Sequence, residues 1–190
     1  MRLSLAIVAL CCLPGGPAAA QDAEAEQRAK EIEAVCSKTY CRPARTVRLL
    51  REDGSMFERE VPRLPIVLPT GWITVYPGEE IHVELTLARG TIRSARAVAK
   101  VARPNSTLTF KLSQQPGRAD MQLAVSHSLP QTLKYSLGMM LPSGGQVYAT
   151  ASCPVPPGLT TYETWPNPVF QLVIRDLRLL PEGTPLTCEK

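Results

Sequence analysis

Histidine is scarce in this chain of 190 residues: only His82 and His127 occur, so no three-histidine metal site can form within one copy. There is no G-x-S-x-G elbow, no H-E-x-x-H pair and no Walker loop. The commonest signatures of serine hydrolases, zinc proteases and nucleotide-binding enzymes are therefore missing. Neither a metal nor an organic cofactor is expected. Aromatic residues make up only 5% of the chain, against 18 prolines, which leans towards strands and turns. No apolar run reaches the ~20 residues that a membrane helix needs. Charge of one sign is also lacking. The formal net charge is +4, and Arg2 alone carries +1 of it within residues 1–20, leaving +3 for the remainder. The cations are mostly interleaved with acids, the pattern of a solvated surface rather than a nucleic-acid footprint.

What is present begins at the N-terminus. Met1-Arg2 is a minimal positive start, Leu3 to Leu13 an apolar core, and Pro14, Gly15, Gly16 and Pro17 a break. Ala18-Ala19-Ala20 then forms a small-residue cleavage site before Gln21, completing the layout of a secretory signal peptide. Cys11 and Cys12 raise a lipoprotein reading, but Leu10 or Cys11 stands where a small residue is expected. The expected organisation is a signal peptide over 1–20, a helical extension over 21–45 and one β domain over 46–190. The expected place is the periplasm or the outside of the cell. In such an oxidising compartment the remaining Cys36, Cys41, Cys153 and Cys188 imply disulfides. Three connectivities are possible. Cys36–Cys41, a tight local loop, and Cys153–Cys188, a clip on the tail, are favoured over a metal or redox site.

Residues 22–35 are rich in helix formers, with Asp22 placed as an N-cap and Glu24/Arg28 and Glu26/Lys30 at i,i+4. From Thr46 the pattern turns to strands. Residues 46–52 and 55–61 flank Asp53-Gly54, which predicts a hairpin. Residues 63–71, with Pro65 and Pro69, read as an edge or connector, and 72–76 as a short strand. Five later segments alternate with period two. Their predicted inward sets are Ile81, Val83, Leu85 and Leu87; Leu108, Phe110 and Leu112; Met121, Leu123 and Val125; Leu133, Tyr135, Leu137, Met139 and Leu141; and Val147, Ala149, Ala151 and Cys153. Short strands at this spacing predict an all-β, immunoglobulin-like antiparallel β-sandwich with a short N-terminal helical extension.

Two segments resist a single reading. In 92–102 the alanines favour a helix and the neighbours favour a strand. A helix would align Arg89, Arg93, Arg96, Lys100 and Arg103 as one stripe for an anionic partner. In 169–180, Phe170, Leu172 and Ile174 share one face and Leu177 and Leu179 the other, so a β-bulge near Arg175-Asp176 is predicted.

The candidate binding surface is the loop 154–168, stiffened by Pro154, Pro156, Pro157, Pro166 and Pro168 and carrying Tyr162, Glu163 and Trp165. Tyr and Trp are favoured at interfaces, but here they could equally cap an aromatic-poor core, and Trp72 poses the same choice. His82 is expected on an outward face and His127 inward, satisfied by a backbone group. Asn105-Ser106-Thr107 matches a glycosylation sequon. The leading functional expectation is a non-catalytic interaction module of the bacterial periplasm or cell envelope, using this loop or a sheet edge. Its partner would be a protein or envelope component. The alternatives are a small carrier or hydrolase inhibitor, and a hydrolase using Ser126 or Ser128 with His127.

Overall fold

A computed structural model of the chain describes residues 17–188. Most of the expected signal peptide lies outside them. Helix α1 (Pro17–Cys36) starts earlier than anticipated, so Asp22 falls inside the helix and not at its N-cap. From residue 23 to 31 its side chains are exposed all round. The Glu24–Arg28 and Glu26–Lys30 pairs form as the spacing predicted. A helix polar on every side gains little from packing. It is held at its C-terminal end, where Cys36 bonds Cys41 and Glu33 meets Arg63 at 2.5 Å.

Strand β1 (Cys41–Arg42) pairs with β4 (Leu64–Pro65) in a two-stranded ribbon. Between them, β2 (Arg45–Leu50) and β3 (Met56–Val61) make the hairpin that Asp53-Gly54 predicted. Gly54 has φ +81°, the left-handed geometry that makes glycine the natural residue at this turn. The hairpin buries Val47, Leu49, Phe57 and Val61 against the core.

The remaining strands build two antiparallel sheets. They are β5 (Ile73–Val75), β6 (Glu79–Ala88), β7 (Thr91–Val98), β8 (Thr107–Gln114), β9 (Met121–His127), β10 (Leu133–Met140), β11 (Val147–Thr150), β12 (Thr160–Trp165) and β13 (Gln171–Leu179). One sheet has five strands in the order β12-β9-β8-β6-β7; the other has four in the order β11-β10-β13-β5. The molecule is thus an all-β sandwich with an N-terminal helix. Its filling comes from the predicted alternation: Val83, Leu108, Phe110, Leu112, Leu123 and Val125 on one side face Leu133, Tyr135 and Leu137 on the other, all buried. The Phe110 and Tyr135 rings meet edge-on at 6.2 Å.

Three local outcomes matter for the site. Residues 91–98 form strand β7, so the single-face basic stripe that a helix would present does not exist. Arg89 and Gly90, at φ +51° and +72°, turn β6 directly into β7. Second, β11 has the opposite parity to that expected. Ala149 lies opposite Gly138 and Val147 opposite Met140 on the outer face, while Thr150 lies opposite the buried Leu137. Val147 and Ala149 are accordingly exposed. Alternation of small residues carried no preference for a side, and pairing with β10 decided it. Third, the bulge in β13 is present. Lys134 pairs with Arg178 and Ser136 with Arg175, so β13 carries one extra residue, and Asp176 has φ +55°. That residue returns Leu177 and Leu179 to the core side.

Candidate functional site

A sandwich of two open sheets has four edge strands, and an uncovered edge offers a row of backbone groups to another chain. Here three edges are protected by different devices. Along β5, Thr74 N–H donates to Ile66 O at 2.9 Å and Leu68 N–H to Trp72 O at 2.8 Å, so residues 66–68 cover that side. The buried Arg42 guanidinium reinforces the cover by donating to Thr74 O and Thr74 Oγ1. Along β7 the register slips between Thr86↔Ser94 and Leu87↔Ile92, which makes Arg93 an extra residue on an edge that also exposes Arg96. Bulges and charges of this kind discourage strand addition. Strand β11 is short, at 4 residues.

Strand β12 carries neither a register slip nor an outward charge, and its one charged residue, Glu163, points inward. Its 6 residues keep an unbroken register with β9, from Thr160↔Ser126 to Trp165↔Met121. Thr160, Tyr162 and Thr164 point outward, exposed and uncharged, with Tyr162 at 59% exposure. Among the described residues no strand pairs with its far side.

The inner face explains why this strand is held so regularly. After β11 the chain crosses from one sheet to the other through Pro154, Pro156 and Pro157, then turns at Gly158 with φ +71°. Val155 pairs with Leu133 on the first sheet. On the second sheet, His127 Nε2–H donates to Val155 O at 2.9 Å and Gly158 N–H to His127 O at 2.9 Å. The other ring nitrogen, Nδ1, accepts Leu129 N–H at 3.1 Å. Beyond the crossing, Glu163 points inward opposite Leu123 and accepts Cys153 N–H at 2.6 Å. Trp165 packs on the core and donates its indole N–H to Thr150 Oγ1 at 2.9 Å, joining the two edges. The buried Lys134 ammonium donates to Ser152 O at 2.5 Å, and Ser152 Oγ–H to Tyr135 O at 2.6 Å. Cys153–Cys188 ties the C-terminal tail to this seam.

These groups titrate abnormally for stated reasons. Burial pushes the Glu163 carboxyl up, opposed by the Cys153 N–H and the positive charge of Lys134. Burial, with a smaller contribution from Glu163, pushes the Tyr135 phenol up. Burial holds the His127 imidazole down, partly offset by its bond to Val155 O.

The residues singled out in the sequence are dispersed. Of Tyr162, Glu163 and Trp165, only Tyr162 is strongly exposed; Glu163 is buried and Trp165 half-buried, because residues 160–165 are a strand and not a loop. Trp72 is exposed beside β5, at the opposite edge of the four-stranded sheet from β11, with the Arg175 guanidinium 5.8 Å from its ring. Of the basic residues, Arg96 and Arg103 both bind Glu84, whose carboxyl these bonds hold below its usual range. Arg89 sits in a turn, Arg93 at the bulge and Lys100 beyond the end of β7. His82 is half-buried, its Nδ1 3.0 Å from Thr109 Oγ1. His127 has both ring nitrogens bonded to backbone groups, Val155 O and Leu129 N–H, rather than to Ser126 or Ser128. Among the described residues no group of three or more His, Cys, Asp or Glu side chains could hold a metal ion. A rim cleft of about 320 Å3 lies between Arg51, Asp53, Leu141 and Asn167, away from the seam.

The sequence reading missed the strand character of β12. Its signal was there, in the strand-forming Thr, Tyr and Trp of TTYETW between two proline clusters. Comparison with family models, with curated proteins and with solved structures finds no match to the chain.

Proposed function

We propose that this chain is an exported, non-catalytic interaction domain of the bacterial periplasm or cell envelope, and that it receives an extended segment alongside β12. The observation that carries this reading is the contrast between the edges: three are covered, charged, bulged or short, and β12 is regular, uncharged on its outward face and, among the described residues, without a strand on its far side. Strand addition to such an edge takes its affinity from main-chain hydrogen bonds and its specificity from alternate side chains. Export is supported by the layout of residues 1–20 and is compatible with the two disulfides. No helix among the described residues is long and apolar enough to cross a membrane.

The test is a photo-cross-linking residue placed at position 162, compared with the same residue at position 93 on the guarded edge, in intact cells exporting the full chain. The reading expects an adduct from 162 and none from 93. Absence of any adduct from 162, with the protein folded and exported, would contradict it.

A further inference from the structure

We infer that the segment added alongside β12 is β12 of a second copy of this chain, antiparallel about a two-fold axis at Tyr162; this rests on the reading of β12 as the docking edge. Two-fold pairing must set outward residues opposite outward residues. On β12 these are Thr160, Tyr162 and Thr164. The register centred on Tyr162 puts Tyr162 opposite its own counterpart and Thr160 opposite Thr164 of the other copy. Aromatic pairs and Thr–Thr pairs are among the favourable cross-strand neighbours, and directly opposed like charges are unfavourable. Centring on Glu163 instead would set two carboxylates against each other, which disfavours that register.

The surroundings agree with self-pairing. No outward side chain of β12 is charged, so a two-fold axis there brings no like charges together on that face. On the neighbouring strand β9, Gln122, Ala124 and Ser126 are likewise neutral and half-buried. Four large exposed apolar residues, Val147, Tyr148, Leu159 and Tyr162, lie on β11 and β12 or immediately before β12, while Tyr40, Met56, Trp72, Val101 and Leu186 are exposed elsewhere. The Trp165–Thr150 bond places β11 beside β12, so one pairing event brings both edges of each copy towards the other. The five-stranded sheets of the two copies would become continuous, and each unprotected edge would protect the other.

Sedimentation equilibrium on the purified exported chain tests this. Wild type should pass from one to two chain masses as concentration rises. Tyr162→Lys should remain at one and unfold cooperatively at the temperature of the dilute wild-type chain, since this side chain is exposed in the single copy. Thr164→Lys serves as a second disruptive variant should Tyr162→Lys fail to fold, and Thr91→Lys, on the guarded edge, should dimerise like wild type. A wild-type chain that stays at one mass to its solubility limit overturns self-pairing. So does dimerisation that both lysine variants on β12 retain. The cross-link at position 162 separates this failure from failure of the docking edge. An adduct with a different protein leaves the edge standing and removes the second copy, whereas no adduct removes both.

Discussion

The two hydrogen bonds of the His127 ring exist together only in the neutral state, since Nε2 donates to Val155 O while Nδ1 accepts from Leu129 N–H. Burial holds this imidazole below its ordinary value near 6.5, so as pH falls the unfolded chain takes up the proton first. The stability contributed by the neutral ring is complete above about 6.5 and declines as pH drops from there through the folded value. Glu163 runs the other way: its raised carboxyl contributes stability at low pH that is lost as pH rises through the ordinary carboxylate range to the folded value. We predict that denaturant midpoints of wild type fall relative to those of His127→Gln between pH 8 and pH 5. The difference isolates His127, because Glu163 is common to both. Parallel midpoints across that range would refute the assignment. The inward position of His127 was legible in the alternation that runs from Met121 through Val125. The burial of Glu163 was not, because its partner is a backbone N–H delivered by the crossing between sheets, a tertiary event with no local trace.

At the scale of elements, Asp176 is the clearest case of a pattern read correctly. Two apolar sets of opposite parity in one strand required an extra residue, and the chain places it at a residue that tolerates positive φ. Asp176→Gly should leave stability within about 0.5 kcal/mol of wild type, and Asp176→Val should cost about 1–2 kcal/mol, since a β-branched residue disfavours the left-handed region. Urea midpoints at constant slope would measure both. Equal effects of the two substitutions would argue against a left-handed bulge. Strand β7 was harder to read because its alanines carry helix propensity, which pairing with β6 overrides. The signal that decided it, a two-residue turn at Arg89-Gly90, has no conspicuous sequence signature. In β12 the prolines on both sides drew the eye to a loop, although φ is restricted only where they stand. Local propensity within TTYETW pointed to a strand all along.

For the whole molecule, the sandwich was legible because its core follows one rule repeated along many strands, and Val83, Phe110, Leu123, Leu133 and their neighbours obey it. Which edge is exposed to a partner depends on strand order, and strand order is not written in periodicity. β12 follows β11 in the chain yet pairs with β9 in the opposite sheet. The crossing stiffened by Pro154, Pro156 and Pro157 and tied by His127, Glu163 and Cys153–Cys188 holds that edge in place without covering it. The central claim is that this edge is open in the single copy and closed by pairing. Amide hydrogen exchange over residues 160–165, followed as protein concentration rises, tests it most directly. The account predicts that at low concentration the amides facing β9 are protected and the alternate ones exchange freely. The second set should gain protection with concentration in wild type and not in Tyr162→Lys. Slow exchange of all these amides at every concentration would mean that the edge is already covered within one chain, and would contradict the account.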